Sequence, residues 1–292
     1  MTAARWLEDP LSFGCGDETL IGVLARPALE TRVGVVIVVG GPQTHVGSHR
    51  QFVLLSRHLA AGGVPCFRFD VRGMGDSTGA PRSFDALDED VAAAIGALRS
   101  RLPSVERVVL WGLCDGASAA LMYWHRTRDP RVCGFVLLNP WVRSATTLAK
   151  AHVKHYYLQR LTQPAFWKKL LKGGVAGRAL TDLASNLKLA RATAPAGGAD
   201  GRADFQQQML GAASRFTGPM ALILSGNDYT AREFEEHSRM VPAWQTVLSR
   251  PQVARCNVAD ADHTFSTASH QTEMESFTLQ WVQRLTIDQR VP

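Results

Sequence analysis

Residues 33–39 read Val-Gly-Val-Val-Ile-Val-Val, β-branched at every position but Gly34, and the run ends in Gly40-Gly41-Pro42. β-Branched side chains fit a pleated surface and lose rotamer freedom in a helix. A run without polar alternation suits a strand buried on both faces, as in a parallel sheet covered by helices. The flanking sequence agrees. Phe52, Leu55 and Leu59 share one helical face before the Gly62-Gly63 stop, and Pro65–Asp70 is the next strand. A loop, Asp70-Val71-Arg72-Gly73-Met74-Gly75-Asp76-Ser77, leads to a second helical stripe of Leu87, Val91, Ala94, Ile95 and Leu98. Strands follow at Val108–Leu110 and at Gly134–Leu138, the latter ending in Asn139-Pro140. This alternation predicts an α/β fold, a doubly wound and mostly parallel sheet with right-handed crossovers.

The pattern breaks near Trp141. Up to about 214 the chain is helical in character but irregular, with Ala194–Gly201 reading as a loop. Alternation resumes with Met220–Ser225, ending in Gly226-Asn227-Asp228, and with Val253–Val258, followed by Asp260-Ala261-Asp262-His263. An amphipathic helix over Glu273–Leu285 turns Phe277, Trp281, Val282 and Leu285 inward. The expected organisation is a core of 1–140 and 215–292 with an inserted helical cap at 141–214.

Composition narrows the class. The 292 residues, 46% hydrophobic, can bury a large core. Cys15, Cys66, Cys114, Cys133 and Cys256 are scattered and odd in number, with no CxxC pair, which argues against a zinc site or disulfide framework. No cofactor and no metal are expected. No signal-peptide core or long apolar run is present, so no transmembrane segment is expected and a cytoplasmic protein is the default. The net charge of +6 is uneven: residues 141–214 hold eleven Lys/Arg against three acidic residues, a local +8. Those basic residues are not interleaved with a nucleic-acid-binding motif, so no nucleic-acid partner is expected.

Gly112-Leu113-Cys114-Asp115-Gly116 follows the Val108–Leu110 strand and has the spacing of a nucleophile elbow, with cysteine at its centre. Glycines on either side let neighbouring backbone approach a strained turn. A thiol there would lie at a helix N-terminus, whose unpaired N–H groups favour a thiolate. The structural alternative is a cysteine buried at a strand end. In open parallel sheets ligands bind beyond the carboxyl ends of the strands. Gly40-Gly41, Cys114, Asp228 and His263 all fall at such ends, in the order nucleophile, acid, histidine. Asp260 and Asp262 are rival acids. Ser118 reads as helix interior, and Asp70, Arg72 and Asp76 as braces of their loop.

As an ordered set, Val38-Val39-Gly40-Gly41-Pro42, the 70–77 loop, the 112–116 elbow, Gly226-Asn227-Asp228 and Asp262-His263-Thr264-Phe265 resemble the α/β-hydrolase superfamily. Within it, Gly-Pro-Gln-Thr-His-Val-Gly-Ser-His-Arg-Gln-Phe (41–52) with Trp-Gly-Leu-Cys-Asp (111–115) is similar to the exosortase A system-associated hydrolases. The resemblance implies an inserted cap and a triad of Cys114, His263 and Asp228. Cys114 would attack an acyl carbonyl, His263 would move its proton, and Asp228 would fix the imidazole tautomer. Backbone N–H groups of Gly41 and Asp115 would form the oxyanion hole, with Gln43 as donor if the loop is shifted in register. Gln43, His45, Tyr156 and Trp167 are candidates for substrate contact, and His49 lies beside the same loop.

Two departures stand out. Cysteine replaces serine, as in the dienelactone-hydrolase-like and bile-acid acyltransferase-like branches, and Val39 stands where a histidine commonly supports the oxyanion loop. That support must come from elsewhere. An acyl-cysteine is a thioester, prone to aminolysis, which points to thioester substrates or acyl transfer over plain ester hydrolysis. The basic segment would suit an acidic acyl-carrier domain or the phosphates of coenzyme A. The alternatives are a carboxylesterase or lactone hydrolase using the same residues, and a non-catalytic binding protein with a degenerate elbow.

Overall fold

In the computed structural model, residues 6–143 and 205–287 are described, and among them eight strands form one sheet. They are β1 (Trp6–Cys15), β2 (Glu18–Pro27), β3 (Val33–Val38), β4 (Cys66–Phe69), β5 (Arg107–Leu113), β6 (Val132–Leu138), β7 (Met220–Ser225) and β8 (Val253–Val258). Their order across the sheet is β1-β2-β4-β3-β5-β6-β7-β8. From β4 to β8 every pairing is parallel, and β1 and β2 add an antiparallel edge. The strands belong to one compact unit, Met1–Val142 with Asp204–Pro292.

The period-2 alternation of the central strands sorts their side chains between two cores. Val33, Val35 and Ile37 of β3 and Val109 and Trp111 of β5 point to one face. There they meet Phe52, Leu55 and Leu59 of α1 (Gln51–Ala61), with Phe52 edge-on to Trp111 at 5.7 Å. Met274, Trp281 and Val282 of α7 (Ala268–Ile287) complete that layer. Val36, Val38, Val108 and Leu110 point to the other face. It is covered by α2 (Asp88–Arg101), α3 (Asp115–Thr127) and α4 (Phe205–Arg215), then by Phe234 of α5 (Tyr229–Met240) and Trp244 of α6 (Pro242–Leu248). The sheet is thus wound on both faces, the doubly wound α/β architecture that the strand–helix alternation predicts. The cap expected at 141–214 falls mostly outside the described residues. Within that range α4 is described, and it belongs to the same compact unit as the sheet, burying Met209, Ala212 and Ala213 in the second core.

The antiparallel β1–β2 edge carries no burial run that would announce it. β1 alternates exposed and half-buried positions and is tied down by charge, with Glu8 bridging Arg57 of α1 and Arg68 of β4 at 2.7 and 2.9 Å. No helix among the described residues is long and apolar enough to cross a membrane.

Candidate active site

The carboxyl ends of β3, β5, β6, β7 and β8 lie side by side in the sheet, and the loops leaving them converge. β5 ends at Leu113, and Cys114 takes φ 59°, ψ −125° before α3 begins at Asp115. Positive φ is costly for a residue with a Cβ, so the turn must be held from several sides. It is: Cys114 N–H donates to Leu138 O (2.9 Å), and Cys114 O accepts from Ala117 N and Trp141 N at 3.1 Å each. Ser118, fully buried, donates its hydroxyl to Trp141 O at 2.7 Å. The flanking glycines make the turn possible. A Cβ on Gly112 would lie 2.5 Å from Ala117 N, and one on Gly116 would lie 2.3 Å from Val38 O. Any side chain at either position would push α3 off the sheet.

Asp228 follows β7 as the N-cap of α5, its carboxylate accepting from Thr230 N (3.2 Å) and Ala231 N (3.0 Å). The same carboxylate bonds to His263 Nδ1 at 2.9 Å. Burial pushes the Asp228 carboxyl up, but the His263 hydrogen bond and charge, with the two amides, hold it below the ordinary value. His263 and Cys114 line the same pocket, so the imidazole stands beside the thiol. With Nδ1 turned to Asp228, the other ring nitrogen is the one left for sulfur. The Asp228 hydrogen bond first, then the neighbouring Cys114, raise the imidazole to about 10 against the opposing effect of burial. Of the rival acids, Asp262 accepts from Thr264 N (3.1 Å) and Ser266 N (3.0 Å), and Asp260 is exposed. The structure therefore brings Cys114 and His263 to one pocket, with His263 hydrogen-bonded to Asp228. Burial above all pushes the thiols of Cys15, Cys66 and Cys256 up, and that of Cys133 up to about 11.

The pocket has a volume of about 240 Å³ and is walled by Cys114, His263 and Asp115 on one side and by Gly40, Gly41 and Gln43 on the other. Gln43 Oε1 is a buried acceptor without a hydrogen-bond partner among the described residues. His45 does not line the pocket. Its N–H donates to Asp70 Oδ1 (2.6 Å) and its ring Nδ1 meets Asp70 Oδ2 (2.8 Å), tying the loop after β3 to the end of β4. This clamp supplies the loop support that Val39 cannot give. Asp70 also accepts from Asp76 N (3.3 Å). Arg72 is spent on buried Asp90, with Nη2 to Oδ2 at 2.8 Å, and His49 is exposed. Tyr156 and Trp167 lie outside the described residues.

One residue that the sequence pattern does not single out is Asn139, at the end of β6 with φ 42° and no exposure. Its Nδ2 donates to Ser225 Oγ (2.9 Å) and reaches His263 O at 3.4 Å, while Ser225 N donates to its Oδ1 (2.9 Å). It thereby joins the ends of β6 and β7 to the segment carrying the imidazole. The Asn-Pro pair at 139–140 reads in sequence as a strand stop, and the cross-strand bonding is invisible there.

An esterase from Pyrococcus furiosus, Pf2001, superposes with a TM-score of 0.64 at 18% identity, covering 96% of this chain and 92% of that one. A dienelactone hydrolase from Anabaena variabilis gives 0.57 at 14% identity, covering 96% and 98%. A protein of Xanthomonas campestris described as an α/β serine hydrolase without lid gives 0.55 at 15%, covering 96% and 95%. At such identities the likeness is one of fold. No curated protein matches the sequence. The match that assigns a family is Hydrolase_4 (serine aminopeptidase, S33), which spans residues 30–240, and the chain belongs to that family of α/β hydrolases.

Proposed function

We propose that the protein is an acyl hydrolase or acyltransferase that works through an acyl-cysteine on Cys114, with a thioester, coenzyme A- or carrier-linked, or an ester as acyl donor. The observation that carries this reading is the group Cys114, His263 and Asp228 at the mouth of a pocket, with His263 Nδ1 bonded to the Asp228 carboxylate at 2.9 Å. A degenerate binding protein has no use for an imidazole held between a thiol and a buried carboxylate.

In the reaction, His263 takes the proton of the Cys114 thiol. Cys114 Sγ bonds to the acyl carbon as the carbonyl electron pair moves onto oxygen, which takes hydrogen bonds from the N–H groups of Gly41 and Asp115. The tetrahedral centre collapses, the bond to the leaving thiol or alcohol breaks, and that group takes the proton from His263. Neutral His263 then accepts a proton from water, an alcohol or an amine as it attacks the acyl-cysteine, and returns the proton to the pair when sulfur departs. Asp228 holds the imidazole tautomer and balances its charge.

Sulfur at the elbow favours thioester chemistry, because a thiolate is a strong nucleophile near neutral pH and its acyl product stays activated. The +8 carried by residues 141–214, which we assign as a basic cap, supports an anionic donor such as coenzyme A or an acidic carrier domain. The test is turnover of matched thioester and oxygen-ester substrates by the wild type and by Cys114→Ala. A loss of both activities in the variant, with thioester preferred in the wild type, is expected. Preference for the oxygen ester would turn the reading to a carboxylesterase. Activity surviving in Cys114→Ala would refute it.

A further inference from the structure

The proposed mechanism uses the backbone of Asp115 and leaves its side chain without a task. That side chain folds back over its own turn. Its carboxyl stands against the loop after β3, Oδ2 and Oδ1 lying 3.6 and 3.8 Å from where a Cβ on Gly41 would be, and the N–H groups of Gly41, Asp115 and Gly116 draw its pKa down against burial. The fit is close, since a Cβ on Gly40 would stand 2.0 Å from Asp115 Oδ1 and 2.3 Å from Gly116 N, so a side chain at 40 would exclude the carboxyl from this position. Two of these three N–H groups, those of Gly41 and Asp115, are the donors that the proposed mechanism assigns to the carbonyl oxygen.

We infer that Asp115 is a gating residue of the oxyanion site: in the free protein its carboxyl group fills the amide nest of Gly41 and Asp115, and an acyl carbonyl is activated there only after that group has moved out. The inference rests on the cysteine acyl-transfer reading above. An ionised carboxylate and a developing oxyanion cannot share the same donors, and in a partly dry pocket their repulsion is weakly screened. The nest is therefore already built for a negative oxygen and is occupied by one of the protein's own.

The groups facing Asp115 define how the gate responds to pH. His263 faces it from the loop after β8, with Asp228 behind the imidazole, and Cys114 adjoins it on the same turn. The loop after β3 offers backbone amides, while His45 of that loop is held by Asp70. Burial pushes the Asp115 carboxyl above its ordinary range, against the pull of the Gly41, Asp115 and Gly116 amides and of His263. A neutral carboxyl accepts hydrogen bonds more weakly than a carboxylate. The gate accordingly loosens as pH falls. In the gated step the Sγ–C bond forms, the C–S bond to the leaving thiol breaks, and the leaving sulfur takes its proton from His263.

The test compares two reactions of Cys114 in the full-length wild type, Asp115→Ala and Asp115→Asn. One is single-turnover acetylation by the acetyl thioester of N-acetylcysteamine, read by intact mass. The other is alkylation by iodoacetamide, which makes no oxyanion. In Asp115→Ala the ratio of acetylation to alkylation rate is expected to rise about tenfold at neutral to mildly alkaline pH. In Asp115→Asn it rises less, because a neutral side-chain oxygen still fills the nest. The wild-type ratio climbs as pH is lowered, and that of Asp115→Ala does not. An unchanged or lower ratio in both variants, with the circular dichroism of the wild type retained, overturns the inference. If Asp115→Ala fails to fold, Asp115→Asn decides alone by the same criterion. If Cys114 in the wild type is alkylated but never acetylated, the acyl-transfer reading fails instead of the gate alone.

Discussion

Replacing Asp228 by alanine should destabilise the protein in a way that depends on pH, and the size of the effect can be worked out from its three hydrogen bonds. The carboxylate is 8% exposed, caps α5 through Thr230 N and Ala231 N, and holds His263 Nδ1 at 2.9 Å. Loss of an N-cap costs about 1 kcal/mol. Loss of a hydrogen bond between charged groups adds about 1.5–3 kcal/mol, giving a total of about 2.5–4 kcal/mol at mildly acid pH. The imidazole is raised from its ordinary value to about 10, so its contribution is complete below the unfolded-state value and is lost as pH rises through about 10. The Asp228 carboxyl is lowered, so its contribution is present above the unfolded carboxylate value and is lost only as pH falls through the lower folded value. The penalty of Asp228→Ala should therefore be largest near about pH 6 and smaller by about 1 kcal/mol or more at alkaline pH. Asp228→Asn, which keeps an oxygen for the cap, should lose only the imidazole part. Guanidinium unfolding of the three proteins at both pH values measures this. A penalty equal or larger at alkaline pH would refute the reasoning.

Three further outcomes follow. Asn139→Ala removes two buried bonds to Ser225 and leaves Ser225 N–H without its partner, and it should cost about 2–4 kcal/mol by denaturant unfolding. His45→Ala removes the ring contact to Asp70, leaving only the backbone N–H bond to hold the loop carrying Gly41, so acyl transfer should fall several-fold while the iodoacetamide rate at Cys114 holds; an equal fall in both would contradict the clamp. Gly116→Ala sets a Cβ 2.3 Å from the backbone carbonyl oxygen of Val38, which cannot swing away as a side chain could, and should lower stability by more than about 3 kcal/mol; a wild-type melting temperature would contradict it.

Much of this molecule is legible in its sequence because the relevant signals are local. Val33–Val38 and Met220–Ser225 are runs whose every residue is buried, apolar but for the closing Ser225, and such runs admit little besides a central parallel strand. The elbow, Asp228 and His263 stand out because each follows a strand end in the order that a hydrolase site requires. The edge hairpin β1–β2 is not legible, since Glu8, Asp9 and Pro10 interrupt its pattern and half its residues face solvent or ion pairs. α5 and α6 are also unmarked, α5 being polar over most of its surface with buried positions at Thr230, Ala231, Phe234 and Ser238. The His45–Asp70 clamp, the Asn139–Ser225 pair and the fold-back of the Asp115 carboxyl depend on loops from different strands meeting in space. Spacing along the chain carries no record of them.

Sulfur is the proposed acyl carrier, and the most direct measurement of it is intact mass followed by peptide mapping after brief exposure to an acyl thioester. The expected result is one acyl group on the peptide containing Cys114, released by hydroxylamine and absent from Cys114→Ser at the same exposure. An adduct on any other residue, or none under conditions of measurable turnover, would contradict it.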